Sequence, residues 1–226
     1  MTLAPLLILA ICAVSAYLIG AIPFGLFLGW LRGLDIRNQG SGNIGATNVT
    51  RVLGKAWGYP CFALDFLKGC LPVLAAAHWG APALPAAWAA WAAVLAAGGA
   101  VAGHIWPVYL GFKGGKGVST TLGALLPVAF WPVLIMSAVW GIVFFWGRYV
   151  SLASITAATV LPLAALGLRL GGWRPYNWPE IGLLGALAIL IIAKHHGNIR
   201  RLLNGSEHRF GGRPPATPGE NSPGTP

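Results

Sequence analysis

Charged residues are scarce in this sequence of 226 residues, and acidic ones are almost missing. Only 9% of the residues are charged, and five Asp and Glu stand against fifteen Lys and Arg. Soluble domains carry about 25% charged residues, so the composition excludes that class. With 56% hydrophobic residues and a mean hydropathy of +0.69, the sequence predicts an integral membrane protein.

Patterns for metal binding and covalent catalysis are also missing. The three cysteines, Cys12, Cys61 and Cys70, lie in apolar segments without CxxC spacing, so we interpret them as packing residues. Carboxylates are few and the histidines lack ligand spacing, so we predict no metal site and no cofactor. The sequence contains no GxSxG motif, and no histidine has an aspartate five residues further on. The basic residues form no stripe interleaved with aromatics, which argues against nucleic acid as a partner.

Apolar stretches predict an all-α polytopic membrane protein, a bundle of about seven transmembrane helices. They cover residues 3–30, 56–79, 84–107, 118–130, 131–146, 151–170 and 179–193. About 20 helical residues cross a hydrocarbon core of ~30 Å, so the fourth and fifth stretches are short. One long helix bent near Pro132 would replace these two, and fewer than seven spans is therefore the alternative.

The basic residues predict the orientation and the extent of the membrane domain. With seven spans and an external N-terminus, all but three of the fifteen Lys and Arg fall in loops on one face. Cytoplasmic loops carry such an excess, so this face is predicted to be cytoplasmic. We expect one membrane-embedded catalytic domain over residues 1–209. The Pro- and Gly-rich residues 210–226 are predicted to be a disordered cytoplasmic tail.

A first polar stretch, GSGNIGATNVTR, spans residues 40–51 after the first apolar span. Closely spaced glycines let a backbone turn sharply and approach a ligand. Hydroxyls, amides, backbone N–H groups and a guanidinium are the groups that bind phosphate. The candidate binding residues are Ser41, Asn43, Thr47, Asn48 and Arg51. The alternative is a flexible polar connector between two membrane helices.

A second polar stretch, GFKGGKGVST, spans residues 111–120 and opens into a helix. Its backbone N–H groups and the N-terminal helix dipole would attract an anion. The candidate binding residues are Lys113, Gly114, Gly115, Lys116 and Gly117. The stretch does not match the P-loop pattern GxxxxGK[ST]. A basic turn flanking the membrane is the alternative.

Two further polar clusters follow. Ser151 and Ser154 in RYVSLAS are one helical turn apart, and their hydroxyls suit either helix contacts or an acyl carbonyl. In HHGNIRRLLNGSE, residues 195–207, His195 and Asn198 would face the same side of a helix. A neutral imidazole can accept a proton or orient a hydroxyl. Glu207 is interpreted as a structural partner of the nearby arginines.

Three ionisable residues are predicted inside the membrane spans. Asp65 and Lys68 are three residues apart, and because intramembrane charges are costly, we expect them to pair with each other or with an arginine. His104 near the end of the third span is interpreted as a packing histidine with a hydrogen bond inside the bundle.

The motifs SGNIGATNVTR (residues 41–51), FKGGKGVST (112–120) and HHGNIRRLLNGSE (195–207) resemble those of one family. The chain is similar to the bacterial membrane acyl-phosphate:glycerol-3-phosphate acyltransferases, the PlsY family, over nearly its whole length short of the tail. Departures are small: His196 stands where arginine is expected, and Ser119 where alanine is expected.

The resemblance implies transfer of a fatty acyl group from acyl-phosphate to the 1-hydroxyl of glycerol 3-phosphate, giving lysophosphatidic acid and phosphate. It implies a multi-pass protein of the bacterial cytoplasmic (inner) membrane, with its active site on the cytoplasmic side and function as a monomer. Acyl-phosphate is an activated mixed anhydride, so positioning, charge screening and one proton transfer remain for the protein. The proton acceptor is either His195 or a substrate phosphate.

Our hypothesis assigns the motifs to the two substrates. Ser41, Arg51, His195 and Asn198 are expected to hold glycerol 3-phosphate. The glycine loop with its two lysines is expected to hold the acyl-phosphate head, while Ser151 or Ser154 touches the acyl carbonyl. The alternative function is a membrane transporter for a phosphorylated metabolite, although little polarity lies near the predicted bilayer midplane.

Overall fold

The computed structural model describes residues 3–211, and all regular structure within them is helical. The α-helices are α1 (Leu3–Gly20), α2 (Phe24–Trp30), α3 (Ala46–Leu53), α4 (Lys55–Ala75), α5 (Ala86–Ile105), α6 (Val118–Leu125), α7 (Phe130–Gly147), α8 (Val150–Leu170), α9 (Trp178–Lys194) and α10 (His196–Leu203). In a bilayer a helix satisfies its own backbone N–H and C=O groups, which is why the long apolar runs become helices. The predicted all-α membrane architecture is confirmed.

In the described part of the chain, fewer helices are long enough to cross a membrane than the seven spans that the sequence predicts. Within residues 3–211, five segments are long and apolar enough to cross a bilayer: Leu3–Trp30, Lys55–Ala83, Ala86–Leu110, Phe130–Gly147 and Val150–Leu170. The pair α9 and α10, bent by 57°, makes a sixth if it is counted as one span. The predicted fourth span contains only α6, whose eight residues rise ~12 Å. A count of seven therefore stays a prediction.

Contacts at the two ends of α7 show which end of the bundle the chain reaches after the short helix α6. Residues 118–129 run from the glycine loop, residues 111–117, to the start of α7. At the start of α7, Trp131 lies under the guanidinium of Arg174 in the α8–α9 turn, with 5.7 Å between Arg174 Cζ and the centroid of the Trp131 ring. At the other end of α7, the Phe210 N–H donates to the Arg148 carbonyl. The segment thus joins opposite ends of the bundle, and α6 and α7 do not merge into one helix bent at Pro132.

Small residues bring the helices into backbone contact. A Cβ on Gly103 of α5 would overlap the Tyr17 carbonyl of α1, and one on Gly69 of α4 would overlap the Thr120 carbonyl of α6. Close approach through small residues is a common way for membrane helices to associate, because lipid tails provide no hydrophobic driving force. The short helix α6 is thereby fixed against α4, which positions the glycine loop that precedes it.

Phe210 belongs to the ordered structure, although composition assigns it to the tail. Its ring lies edge-on to Phe144 at 5.5 Å between centroids, and the Arg148 Nε donates to its carbonyl at 3.2 Å. The C-terminal segment is therefore fastened to the α7–α8 turn. Residues 212–226, which make up most of the predicted disordered tail, lie outside the described residues.

Candidate active site

Asn48 shapes the first polar loop from inside. It is 1% exposed, and its Nδ2 donates to the carbonyls of Ile36, Gln39 and Asn43. Its Oδ1 accepts the Ser41 N–H at 2.8 Å. The buried amide of Asn48 therefore holds the loop together, and its contact with a substrate stays a prediction.

The other residues of this loop lie at its surface. The Asn43 Oδ1 accepts the Gly45 N–H at 2.8 Å just before α3, so Asn43 also shapes the chain. Ser41, Thr47 and Arg51 are exposed. Thr47 and Arg51 are one turn apart on α3 and share a face. The stretch is thus a folded platform with two hydroxyls and a guanidinium at its surface, not a flexible connector.

The glycine loop lies flat against the end of α5. The Gly115 N–H donates to the His104 carbonyl at 3.0 Å, and a Cβ on Gly115 would overlap the His104 Nε2 atom. Gly117, with φ +83°, precedes α6 in the left-handed region that favours glycine. Glycines at these positions let the loop turn tightly and pack closely against the end of α5.

The two lysines of this loop occupy different environments. Lys113 is exposed, whereas Lys116 is half-buried and its Nζ donates to the Asn198 Oδ1 on α10. Burial lowers the pKa of Lys116 to about 8, and the nearby Arg201 and Arg51 charges act in the same direction. An anion bound next to Lys116 would therefore meet a cation that is poised to lose its proton slightly above neutral pH.

His195 lies at the bend between α9 and α10, just outside the membrane-spanning helix. It is 3% exposed, and its Nδ1 lies 2.8 Å from the Ile191 carbonyl. A carbonyl only accepts hydrogen bonds, so Nδ1 carries the proton and Nε2 is left as an acceptor. Burial, followed by the Lys116 charge, lowers the His195 pKa to about 4. At neutral pH the ring is uncharged.

Glu207 joins the clusters that sequence analysis treats separately. Its Oε1 accepts from Asn198 Nδ2 at 2.7 Å and from Ser151 Oγ at 2.8 Å, and its Oε2 accepts from Arg201 Nε at 2.7 Å. Burial acts to raise the Glu207 pKa, but these hydrogen bonds outweigh it and leave the pKa lowered. The sequence favours an arginine-pairing role for Glu207, with a place in the site as the alternative. Its place nine residues beyond Asn198, past the end of α10, gave no sign that it also reaches Ser151.

Ser154 is separated from this network, although it follows Ser151 by one turn. It is 3% exposed, its Oγ donates to the Val150 carbonyl at 2.8 Å, and it accepts from Trp140 Nε1 at 3.2 Å. The first contact lies within α8, and the second joins α7 to α8. Of the two serines, only Ser151 lies beside Glu207, and the contacts of Ser154 match the interpretation of its hydroxyl as a helix contact.

The charges at this end of the bundle add up to an anion site. Arg201 pairs with Glu207 at 2.7 Å, Lys116 is linked to Glu207 through Asn198, and the Arg51 charge interacts with both Glu207 and Arg201. Although Arg51 reaches the surface, partial desolvation of its guanidinium lowers its pKa, and the Glu207 charge partly offsets this. Within residues 3–211 no group of three or more His, Cys, Asp or Glu side chains could hold a metal ion. Guanidinium and ammonium groups gathered in this way suit a phosphate ligand.

Known proteins share both the sequence and the fold. A family profile described as glycerol-3-phosphate acyltransferase matches residues 10–205. A glycerol-3-phosphate acyltransferase of Aquifex aeolicus is 47% identical over 198 residues, which cover 87% of this chain and 96% of that protein. One from Rhodospirillum rubrum is 43% identical over 219 residues, which cover 96% and 98%.

Two solved structures agree with these relatives. The crystal structure of PlsY (YgiH), an integral membrane glycerol 3-phosphate acyltransferase, in its glycerol 3-phosphate form, matches with a TM-score of 0.77 at 43% identity. The match covers 92% of this chain and 96% of that one. Its lysophosphatidic acid form matches with a TM-score of 0.75 at 42% identity, with the same coverage. The chain therefore belongs to the glycerol-3-phosphate acyltransferase family.

Proposed function

We propose that this protein transfers a fatty acyl group from acyl-phosphate to the 1-hydroxyl of glycerol 3-phosphate, giving lysophosphatidic acid and phosphate. Membership of the family makes it a membrane-embedded glycerol-3-phosphate acyltransferase. The related PlsY structures are a glycerol 3-phosphate form and a lysophosphatidic acid form, which correspond to the acceptor and the product of this reaction. The observation that carries the proposal is the convergence of Arg51, Lys116 and Arg201 beside the neutral His195.

Acyl-phosphate is the donor that suits this site. A mixed anhydride is already activated, so its reaction requires neither a metal nor a covalent nucleophile. It requires a cationic pocket for the phosphate and a fixed approach for the acceptor hydroxyl. The backbone of the glycine loop and the ammonium group of Lys116 match the first requirement.

Each substrate has its own set of residues in this proposal. Glycerol 3-phosphate is held by Ser41 and Arg51 on the first loop and by His195 and Asn198 on the α9–α10 bend. The phosphate of the donor lies against Gly114, Gly115, Lys116 and Gly117, with Lys113 at the rim. Ser151 contacts the acyl carbonyl, and the acyl tail extends into an apolar groove between helices.

The proton of the attacking hydroxyl passes to the phosphate of the donor. His195, with its pKa lowered to about 4, is a weak base but a good hydrogen-bond acceptor through Nε2. The phosphate of the donor gains negative charge as its bond to the acyl carbon breaks, so during the reaction it becomes a stronger base than His195. The ester C–O bond forms, the C–O bond to phosphate breaks, and the phosphate leaves with the proton.

The active site lies on the cytoplasmic face of a bacterial inner membrane in this proposal. The excess of Lys and Arg on that end of the bundle supports the orientation. All of the proposed site residues come from one chain, within the domain formed by residues 1–209. A monomer would therefore contain a complete site.

The direct test uses purified protein, glycerol 3-phosphate and palmitoyl-phosphate, without metal or coenzyme A. We expect phosphate and lysophosphatidic acid to be released in equal amounts. Transfer from palmitoyl-coenzyme A or acyl carrier protein, but not from palmitoyl-phosphate, would contradict the donor. If no donor supports transfer, uptake of labelled glycerol 3-phosphate into proteoliposomes without chemical change would support a transporter instead.

Replacing Arg51 by alanine should raise the KM for glycerol 3-phosphate by about tenfold or more, because a charge-assisted contact to phosphate is lost. The KM for acyl-phosphate should change much less. The matched control is Arg37→Ala, which removes an exposed guanidinium of the same loop that pairs with Asp35 at 2.6 Å. An unchanged KM for glycerol 3-phosphate in the Arg51 variant would contradict its binding role.

Inhibition by inorganic phosphate should weaken as the pH rises through about 8, the lowered pKa of Lys116. Below this pH the ammonium is charged and attracts the dianion, and above it the site loses one positive charge. In Lys116→Arg the guanidinium stays protonated, so its inhibition constant should be flat between about pH 7.5 and 9.5. The same pH dependence in both proteins would show that another group is responsible.

A further inference from the structure

Three ionisable side chains are buried together beneath the two polar loops. Asp65, Lys68 and His104 are 2%, 4% and 3% exposed. The Lys68 Nζ lies 2.7 Å from the Asp65 Oδ1, which confirms the predicted pair, and the His104 Nδ1 lies 3.8 Å from the same oxygen. We call these three residues the buried hub. Ionisable groups are costly inside a membrane, so a retained cluster of this kind indicates a function.

Lys68 links the hub to the first polar loop. Its Nζ donates to the Ile22 carbonyl at 2.7 Å, in the break between α1 and α2. In α2, Gly25 packs so tightly on the loop that a Cβ would overlap the Ile44 carbonyl. Leu26 of α2 shares a buried apolar cluster with Ile44. Lys68 therefore holds the helix break that supports the first loop from below.

His104 links the hub to the glycine loop. Its carbonyl accepts the Gly115 N–H at 3.0 Å, and its ring occupies the space that a Cβ on Gly115 would need. The next residue, Lys116, donates a hydrogen bond from its Nζ to the Oδ1 of Asn198. Among the described residues the His104 Nδ1 has no hydrogen-bond partner, and Asp65 is the charged group facing it. The imidazole ring of His104 therefore packs beneath the glycine loop and supports it.

We propose that the buried hub sets the spacing between the two loops, and hence between the acceptor hydroxyl and the acyl carbonyl. Asp65 joins the Lys68 arm to the His104 arm, and all three are positioning residues that act through the loops. The inference rests on the proposed function, because it assigns one substrate to each loop. Reaction requires the two atoms to approach within about 3–3.5 Å, so a shift of ~1 Å in one loop slows turnover.

The test compares kcat and the KM for each substrate in single variants of the two arms, and kcat should fall in both because the spacing of the loops changes. His104→Ala should raise the KM for acyl-phosphate by about fivefold or more and leave the KM for glycerol 3-phosphate within about twofold. Lys68→Met should show the reverse pattern. Met136→Ala, a buried core change in α7, is the control for general loosening and should leave both KM values within about twofold.

A doubly neutral variant, Asp65→Asn with Lys68→Met, separates positioning from folding. Breaking one partner of a buried ion pair is strongly destabilising, whereas removing both charges is often tolerated. We expect this variant to fold with a melting temperature close to that of the wild type but to show a raised KM for both substrates. Its KM values are measured beside those of the wild type in one preparation.

Different outcomes of these measurements would contradict the inference about the hub and the proposed function. Wild-type KM values in the doubly neutral variant, or equal changes of both KM values in each single variant, would overturn the inference. Failure of the doubly neutral variant to fold would make the hub a stability element and overturn it too. A folded wild type that shows no transfer from acyl-phosphate would instead overturn the proposed function. Dissociation constants for glycerol 3-phosphate and inorganic phosphate would then provide the same comparison of the two arms.

Discussion

Replacing His195 by alanine should lower kcat by at least about 100-fold in correctly folded protein. The variant loses the Nε2 acceptor that orients the acceptor hydroxyl, and it leaves the Ile191 carbonyl without its 2.8 Å partner. Turnover is measured as phosphate released from palmitoyl-phosphate in the presence of glycerol 3-phosphate. Near-normal turnover would refute the assigned role.

The neighbouring histidine provides a matched control for this result. His196 is exposed, and its Nδ1 lies 3.0 Å from the Ala193 carbonyl, so His196→Ala removes a similar ring outside the buried site. We expect its kcat to stay within about twofold of the wild type.

A third variant distinguishes orientation from proton transfer at His195. A glutamine side chain offers a carbonyl acceptor but does not act as a base. If His195 only orients the hydroxyl, His195→Gln should retain at least about tenfold more turnover than His195→Ala. Equal losses in both variants would favour His195 as the proton acceptor.

Gly115→Ala should reduce kcat/KM for acyl-phosphate by about 100-fold. A methyl group at this position would overlap the His104 Nε2, so the loop must move away from the floor beneath it. The displacement also moves the backbone of Lys116. The effect is measured at saturating glycerol 3-phosphate, with folding checked by the melting temperature.

Two further variants test whether this overlap is the cause. Gly141→Ala adds the same methyl group to α7, where no heavy atom lies within 4 Å of the new Cβ, and should leave kcat/KM unchanged. In the double variant Gly115→Ala with His104→Ala, the methyl group has room. Its activity should be no lower than that of His104→Ala alone, and a further loss would show that the obstacle lies elsewhere.

The fold class and the location of the site follow from local features of the chain. Long apolar runs become helices because a bilayer offers no other partners for their backbone groups. Clusters of glycine, hydroxyl and basic residues between those runs can only lie at helix ends. The pairing of Asp65 with Lys68 is equally local, since three residues of helix separate them.

The direction in which each side chain points was decided by the tertiary structure. Sequence spacing treats Lys113 and Lys116 alike, and likewise Ser151 and Ser154. Contacts between distant segments separate them, because Lys116 meets Asn198 across 82 positions in the chain. In the same way, Ser151 meets Glu207 across 56 positions.

Asn48 and α6 are two further cases in which contacts between distant segments decide what the local sequence does not. The Asn48 amide donates hydrogen bonds to carbonyls up to 12 positions away in the chain. The side chain therefore supports the loop, which its residue type alone does not indicate. The close approach of α6 to α4 at Gly69, which fixes the position of α6 in the bundle, is likewise not indicated by the hydropathy of α6. Local pattern determined what the chain is and where its polar groups gather, whereas long-range packing in the bundle decided which of them are buried, paired or free to meet a substrate.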